Sequence, residues 1–370
     1  MDTMEQPSRA GRELKTIPQY FFETCDTFPA RPAQRFNPSL YNNDHGGTLS
    51  WESLRTRVRM IAGGLIALGL ERQEKAAIMS HSSPFWTQAD LALACVNAVS
   101  VPIYPLTDRE EVRRLINDTE CRCVLAGNGD IVKTIISLWD DTPFLRKIVL
   151  LDLRAKSADE RVVCLSELLP LGDEWLKDNR AVFEARWKGV KPDDVYSIIH
   201  TPGTGGSAKG VIVTHGNASL RIEDAVEHLE QSDMGITEHD RALCHLPLSH
   251  PFERVSCQLL AVRKGACISY ADRPGTLFEE TRKYNPTWIN TTPDTLKKAY
   301  VQFQHAMSSN YLKKRLFLWS LRLGLQVLEY RRDDTGCYDM SMDIDPRSML
   351  PWGMKIRFRI AGRVLAKLHS

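Results

Sequence analysis

The chain has 370 residues, which is enough for two or three subdomains and too long for one ordinary hydrophobic core. Its 43% hydrophobic and 25% charged residues are typical of a folded globular protein, and its net charge of +2 argues against a nucleic-acid partner. The sequence has no run of about 18 uncharged apolar residues that would predict a membrane span, and residues 1–12 lack the basic and apolar parts of a secretory signal.

Nine cysteines are spread along the chain without the regular spacing of a disulfide framework. Cys121 and Cys123 form the one close pair, and no second pair of Cys or His residues stands at ligand spacing to complete a metal site. We therefore interpret the cysteines as thiols in a reducing, cytoplasmic protein.

Helical and strand patterns alternate through the first half of the chain. Ser50 can cap the first helix, and Gly69 follows its apolar face where a left-handed residue ends helices at low cost. Later helices are predicted to begin at Ser83-Pro84, at a capping box from Thr107 to Glu110, and near Ile131. Strands are predicted at residues 75–80, 101–104, 123–126 and 147–151. This alternation indicates a largely parallel, doubly wound sheet.

A second set of α/β patterns follows a more polar stretch, residues 152–190, which we interpret as a connection. It begins with a predicted strand at residues 195–199, then a glycine-rich loop, an apolar run and a helix around residues 218–230. Further strands are predicted at residues 244–246, 266–270 and 287–290.

Four segments are expected from these patterns. They are an N-terminal segment (1–47), a first α/β subdomain with its connection (48–190), a second α/β subdomain with the glycine-rich loop (191–305) and a basic helical segment (306–370).

The glycine-rich loop runs from His200 to Gly210 and reads His-Thr-Pro-Gly-Thr-Gly-Gly-Ser-Ala-Lys-Gly. Small residues let backbone N–H groups approach an anion, the hydroxyls add donors, and Lys209 adds positive charge. A triphosphate requires this combination. The alternative is a solvent-exposed turn, which the position directly after a predicted buried strand makes less attractive.

Two common phosphate motifs fit this loop poorly. The Walker A pattern fails because Ala208 stands where its second glycine belongs and Gly210 where its magnesium-binding hydroxyl belongs. The dinucleotide pattern is matched by Gly203, Gly205 and Ala208, but it should open a helix, whereas residues 209–213 have a β pattern.

With its tail, Lys209-Gly-Val-Ile-Val-Thr-His215, the loop resembles the phosphate-binding motif of the acyl-adenylate-forming (AMP-binding) superfamily. Other stretches resemble its long-chain fatty-acid–CoA ligase branch, namely residues 48–80, 94–105, 246–254, 283–293 and 316–328. The resemblance covers most of the chain in the right order. It implies an α/β fold, the N-terminal domain of an adenylate-forming enzyme with two doubly wound subdomains, incomplete at its C-terminus.

The resemblance also implies an activity. Family members use ATP and Mg²⁺ to convert a fatty acid into acyl-AMP, and coenzyme A then displaces AMP. By position, the residues implied to bind the ATP phosphates are Thr201, Gly203, Thr204, Gly205, Gly206 and Lys209. Thr201 is also the implied Mg²⁺ ligand, Lys209 has an implied catalytic role, and His250 matches the catalytic residue beside the substrate carboxylate.

The loop departs from the family pattern at several positions. Pro202 replaces a serine and so removes a hydroxyl and a backbone donor, and Gly205 replaces a threonine. Ala208 replaces a proline, and His200 replaces the usual aromatic residue or threonine. Each lost hydrogen bond to a phosphate is expected to cost about 1.5–3 kcal/mol of ATP binding energy.

Several segments that the family carries further along are not found in these residues: a Gly-Tyr-Gly-x-Thr-Glu segment for adenine and magnesium, a ribose-binding Asp, and a C-terminal domain with a catalytic Lys. We therefore expect a truncated chain that is inactive on its own. The alternatives are a non-catalytic protein that binds fatty acyl groups or nucleotides, and one half of a split synthetase with a complementary C-terminal chain. The basic segment 306–370 also suggests peripheral contact with the inner face of a membrane.

Overall fold

The structure is a computed structural model that describes residues 14–41, 46–201, 209–232, 234–272, 277–308, 311–332 and 345–369. The chain forms two compact units, Met1–Asn290 and Thr291–Ser370. The strands, numbered in chain order, are β1 (Pro32–Arg35), β2 (Thr48–Ser50), β3 (Lys75–Met79), β4 (Val99–Ile103), β5 (Cys123–Ala126), β6 (Lys147–Leu150), β7 (Val162–Cys164), β8 (Val195–Thr201), β9 (Lys209–Thr214), β10 (Arg241–Cys244), β11 (Cys267–Tyr270) and β12 (Trp288–Ile289).

Helices connect most of these strands. They are α1 (Ile17–Thr27), α2 (Trp51–Ala67), α3 (Pro84–Cys95), α4 (Arg109–Asp118), α5 (Gly129–Ser137), α6 (Leu165–Lys188), α7 (His215–Gln231), α8 (Pro251–Glu253), α9 (Leu260–Lys264), α10 (Leu277–Tyr284), α11 (Pro293–Ser308), α12 (Tyr311–Glu329) and α13 (Trp352–His369). A π-helical turn, Arg254–Leu259, joins α8 to α9.

The first unit contains two sheets. One has seven strands in the order β7-β6-β5-β3-β4-β8-β9, and the other has five in the order β12-β10-β11-β1-β2. Neighbouring strands are parallel except at one edge of each sheet, where β9 is antiparallel to β8 and β2 is antiparallel to β1. The two sheets with their connecting helices confirm the predicted α/β class.

The strand order crosses the segment boundaries expected from sequence. β8 and β9, from the segment expected to be the second subdomain, complete the sheet formed by β3 to β7, whereas β1, from the N-terminal segment, pairs with β11. The four segment boundaries themselves stay a prediction.

Local capping explains where several helices begin. The Ser50 hydroxyl accepts the N–H of Ser53 at 3.1 Å, as the sequence predicted. The predicted capping box at Thr107 is wrong. Asp108 caps α4 instead, because its carboxylate accepts the N–H of Glu111 at 3.0 Å and an anion is favourable at a helix N-terminus.

The polar stretch interpreted as a connection contains the long helix α6. Gly63 and Gly64 of α2 face Leu168 and Gly172 of α6 at a close approach of the two helix backbones. A Cβ atom added at Gly172 would overlap the carbonyl oxygen of Met60. One face of α6 is buried and the rest is exposed, which accounts for its weak apolar pattern.

The second unit is helical where it is described. α12 packs against both α11 and α13, and Leu323, Val327, Leu350 and Ala361 are buried. Other large apolar side chains of the same unit are exposed, including Trp352 at 79%. Among the described helices, none has the length and apolar character needed to cross a membrane.

Candidate active site

A cavity of about 440 Å³ lies where strands of both sheets end. Its lining residues follow or end four parallel strands, and they are residues 80–82 after β3, 104–106 after β4, 244–247 at β10 and 271–272 after β11. Ligands of open α/β sheets bind outside the carboxyl ends of the strands. The volume is also in the range of about 300–1,000 Å³ that small-molecule sites occupy. We therefore take this cavity as the candidate active site.

A second cavity, of about 400 Å³, is lined by residues of α1 and α7 and by Arg263. Two of its charged residues form an ion pair, in which Arg263 Nε donates to Glu223 Oε1 at 2.7 Å. It lies away from the strand ends, so we do not assign the chemistry to it.

The loop after β10 is held against the loop after β3 by Ser82. The Ser82 hydroxyl donates to the carbonyl of Leu246 and accepts the N–H of Leu248, each at 2.8 Å. Ser249 also forms a hydrogen bond with the Tyr104 hydroxyl. Burial raises the pKa of Tyr104, and this effect is larger than the opposing effect of the hydrogen bond. The two sheets are thus joined by polar contacts at the mouth of the cavity.

Glu253 also holds the loop after β10 in place. One of its carboxylate oxygens accepts the N–H groups of His245 and Leu246 at 3.2 and 3.4 Å, and the other accepts Asn290 Nδ2 at 3.3 Å. Burial raises the pKa of Glu253 to about 7. Because Glu253 takes these backbone N–H groups out of the sheet, β10 ends at Cys244, and the predicted strand at 244–246 is placed too late in the chain.

His250 lies at the start of α8, where it is exposed. Its Nδ1 accepts the N–H of Phe252 at 3.1 Å, so the neutral ring carries its proton on Nε2. That N–H can donate to an oxygen of a bound carboxylate or phosphate.

The glycine-rich loop connects two paired strands. Thr201 and Lys209 are register partners at the end of the β8–β9 hairpin. Because β4 and β8 are parallel and Ser100 pairs with Ser197, Thr201 leaves its sheet at the same edge as Tyr104 of the cavity. Residues 202–208 lie outside the described part of the chain, and with them the predicted ligands Gly203, Thr204, Gly205 and Gly206 and the departures at Pro202 and Ala208.

One buried residue connects the region of His250 to the strand that leads into the loop. The guanidinium of Arg254 donates to Asp90 of α3, to Ser197 of β8 at 2.7 Å and to Ser100 of β4 at 2.6 Å. It also lies 4.3 Å from the ring centroid of Tyr196. One feature of the sequence points to this cluster: Asp90 is a single carboxylate inside the otherwise uncharged α3.

The chain matches the sequence profile of one known protein family. The profile of the family described as "AMP-binding enzyme" matches residues 21–338, which is most of the chain. The chain belongs to the AMP-binding enzyme family. Its membership confirms the resemblance stated from the loop and the flanking stretches.

Curated relatives of this AMP-binding protein are fatty-acid–CoA ligases. It is 23% identical over 317 residues to long-chain-fatty-acid–CoA ligase ACSBG1 of Rattus norvegicus, covering 84% of this chain and 43% of the relative. Long-chain-fatty-acid–CoA ligase heimdall of Drosophila melanogaster is 23% identical, with 80% and 44% covered. Fatty acyl-CoA synthetase A of Dictyostelium discoideum is 25% identical, with 74% and 40% covered. The chain therefore spans less than half the length of these relatives.

Solved structures show the same fold. The anthranilate CoA ligase AuaEII, bound to anthranoyl-AMP, superposes with a TM-score of 0.62 at 14% identity, covering 77% of this chain and 51% of that one. The O-succinylbenzoate coenzyme A synthetase of Bacillus subtilis, bound to AMP, gives 0.56 at 18% identity, with 77% and 63% covered. The fold is thus that of an adenylate-forming enzyme N-terminal domain.

Proposed function

We propose that this chain is the part of an AMP-dependent ligase that binds ATP and a long-chain fatty acid, and that the complete reaction forms acyl-AMP and passes the acyl group to coenzyme A. The observation that carries the proposal is the cavity of about 440 Å³ at the strand ends. The β8–β9 hairpin leaves its sheet at the same edge, and the glycine-rich loop that it carries resembles the family's phosphate-binding motif. The names of the curated relatives support a fatty acid as the substrate.

In this proposal the chain acts by positioning and by charge. Lys209, at the base of the loop, brings an ammonium group to the ATP phosphates together with Thr201 and with Gly203, Thr204, Gly205 and Gly206 of the loop. His250 donates its Nε2–H to the substrate carboxylate, which orients that carboxylate for attack on the α-phosphate. Ser82 and Glu253 keep the His250 loop at the cavity mouth.

Magnesium fits this arrangement at Thr201. Mg²⁺ prefers hard oxygen ligands, and Thr201 offers a hydroxyl oxygen at the exposed end of β8. Thr201 would therefore hold the ion, which when bound neutralises charge on the phosphates. Coenzyme A is the proposed acceptor of the acyl group, with no described residue assigned to it.

ATP binding to the chain tests the first part of the proposal. Lys209→Ala should weaken ATP binding, measured by calorimetry, by about 1.5–3 kcal/mol, because a charge-assisted contact is lost. The matched control is Lys191→Ala, which removes an exposed lysine just before the opposite end of β8 and should leave the affinity unchanged. Equal affinities for wild type and both variants would support a plain turn in place of a phosphate site.

The departures of the loop supply a gain-of-function test. Pro202→Ser restores a hydroxyl and a backbone donor, and Gly205→Thr restores a second hydroxyl. Both changes should strengthen ATP binding, and their combination should do so more than either alone. A loss of affinity in the double variant would argue that this loop does not bind phosphates as its relatives do.

Activity of the 370 residues by themselves is a separate question. We propose that they make no acyl-CoA when assayed alone with ATP, Mg²⁺, coenzyme A and palmitate, because segments resembling the family's adenine, ribose and thiolation segments are not among them. Addition of a complementary C-terminal chain should restore product if the protein is half of a split synthetase. ATP binding without turnover under all conditions would instead favour a non-catalytic nucleotide-binding protein.

A further inference from the structure

Three buried side chains converge behind the candidate active site. Cys244 ends β10, Glu253 ends α8, and Cys257 lies in the π-helical turn that follows. The two thiol sulfurs and a carboxylate oxygen of Glu253 all lie within 4.8 Å of one another. Glu253 and Cys257 are four residues apart on a helical segment, so they share one face, and β10 brings Cys244 to that face.

A buried cysteine is most often inert core, and the described part of the chain contains several of that kind. Two further observations distinguish this group. Cys244 borders the cavity of about 440 Å³, although its side chain is buried. The Cys244 thiol also forms hydrogen bonds with both Glu253 and Cys257, so the three donor groups already converge on one another.

We propose that Cys244, Glu253 and Cys257 bind a thiophilic divalent cation of the Zn²⁺ class. Thiolates select soft or borderline metals, and Zn²⁺ accepts Cys sulfur together with a carboxylate oxygen in tetrahedral sites. Zn–S bonds of about 2.3 Å at a tetrahedral ion place two thiolate sulfurs roughly 3.8 Å apart. The ligand atoms here lie within 4.8 Å of one another, so the sulfurs need to approach by at most about 1 Å. A water molecule from the cavity supplies the fourth ligand.

The binding step requires no redox partner. The cation displaces one proton from each thiol, and the carboxyl proton when one is present, and these protons pass to solvent. Two metal–thiolate bonds and one metal–carboxylate bond form in their place. Binding therefore strengthens as the pH rises, since protons compete with the metal for all three ligands.

A cation at this position joins two parts of the fold. It would tie the end of β10 to the helical segment that begins at His250. The loop from 245 to 250, which lines one side of the cavity, lies between the ligands. The cation would therefore rigidify a wall of the cavity, and it is independent of the ATP phosphates.

Cobalt titration of the reduced, metal-free 370-residue chain tests the site directly. Co²⁺ should bind with one equivalent and produce the sulfur-to-metal charge-transfer absorption of two thiolates, and added Zn²⁺ should abolish that absorption. Cys244→Ser and Cys257→Ser should each weaken Co²⁺ binding by at least about 10-fold and reduce the charge-transfer intensity. Glu253→Gln should weaken binding while the charge-transfer absorption per bound ion stays.

The matched control is Cys267→Ser, which alters a buried cysteine of the neighbouring strand β11 outside the cluster. It should bind Co²⁺ as the wild type does. Because a serine in the core can prevent folding, a second measurement uses the wild-type chain. Because both thiols are buried, alkylation is followed in mild denaturant that opens the fold transiently; Zn²⁺ should slow the alkylation of Cys244 and Cys257, as determined by peptide mass, more than that of the other cysteines.

Either of two results would overturn the site. One is a metal titration that produces no charge-transfer absorption, or whose absorption is unaltered in the folded Cys244→Ser/Cys257→Ser variant. The other is an equal rate of alkylation of both cysteines in mild denaturant with and without Zn²⁺.

Discussion

The guanidinium of Arg254 donates hydrogen bonds to both carboxylate oxygens of Asp90, and the two side chains are only 2% and 0% exposed. Tyr196 adds its hydroxyl to the same carboxylate at 2.7 Å, and Gln258 donates to it at 2.6 Å. The pair thus joins α3, β8 and the π-helical turn at the centre of the first unit. A charge pair so deeply buried stabilises only while both partners are present.

Asp90→Asn and Arg254→Met should each lower the free energy of unfolding by about 3–5 kcal/mol, because each leaves one buried charge without its partner. The double variant should lose less than the sum of the two single losses, and denaturant titration of all four proteins gives the coupling energy. Arg113→Gln is the control, since Arg113 and Glu110 form an exposed pair on α4 that is expected to contribute less than about 1 kcal/mol. Additive single losses would mean that the two charges do not interact.

The contact between α2 and α6 depends on the absence of a side chain at Gly172. Gly172→Ala should lower the free energy of unfolding by about 1–3 kcal/mol, because its methyl group meets the backbone of Met60 and Gly64. Gly129→Ala, at the exposed first residue of α5 where an added Cβ meets nothing within 4 Å, should change stability little. Equal thermal midpoints for the two variants would contradict the close approach of the helices.

His215 predicts how stability changes with pH. Burial lowers the pKa of His215 to about 4 from its ordinary value of 6.5, and the nearby Asp194 and Arg254 oppose each other. Between pH 6.5 and 4, His215 binds a proton in the unfolded chain but stays neutral in the folded chain. The free energy of unfolding should therefore fall by about 3 kcal/mol on acidification through this window. Above pH 6.5 His215 is neutral in both states, so this loss of stability is absent.

His215→Asn removes that titration, so the difference between wild type and variant should depend on pH only between about 4 and 6.5. Urea titrations at several pH values measure it. His228→Asn, at an exposed position of the same helix α7, should retain the wild-type pH dependence. A constant difference between wild type and His215→Asn across the window would disprove the prediction.

Exposed apolar residues and the absence of acidic residues in α13 predict binding to anionic lipid. Trp352, Ile356 and Ile360 are exposed there at 79%, 39% and 49%, and residues 346–370 contain no acidic side chain. Each cation near an anionic surface adds about 1 kcal/mol. The chain should co-sediment with phosphatidylserine vesicles at low salt, and less at high salt.

Removal of the residues after Asp345 should abolish that binding. Arg359→Gln combined with Arg363→Gln should weaken it, and vesicles of phosphatidylcholine alone serve as the lipid control. Binding that survives both the truncation and high salt would locate any membrane contact elsewhere on the chain.

Much of the local structure was predictable because short-range chemistry decides it. Ser50 caps α2 as expected, and Gly69 adopts a φ of +86°, the left-handed region that glycine occupies at low cost. Apolar runs predict β3 to β6, β8 and β11, whereas the parallel strands β1 and β7, of four and three residues, are not predicted. The capping of α4 was assigned to Thr107 in place of Asp108, since adjacent polar residues compete for the same backbone N–H groups and sequence alone does not rank them.

The sequence by itself therefore determined the fold class, the family and the elements that flank the glycine-rich loop. These follow from periodicity, helix caps and a motif of adjacent residues. Only the tertiary structure decided which strands share a sheet, that Ser82 binds the loop before His250, that Arg254 pairs with Asp90 across 164 positions, and that Cys244 meets Glu253 and Cys257. Such contacts join residues far apart in the chain, and their partners depend on how whole sheets and helices pack, which no local pattern encodes.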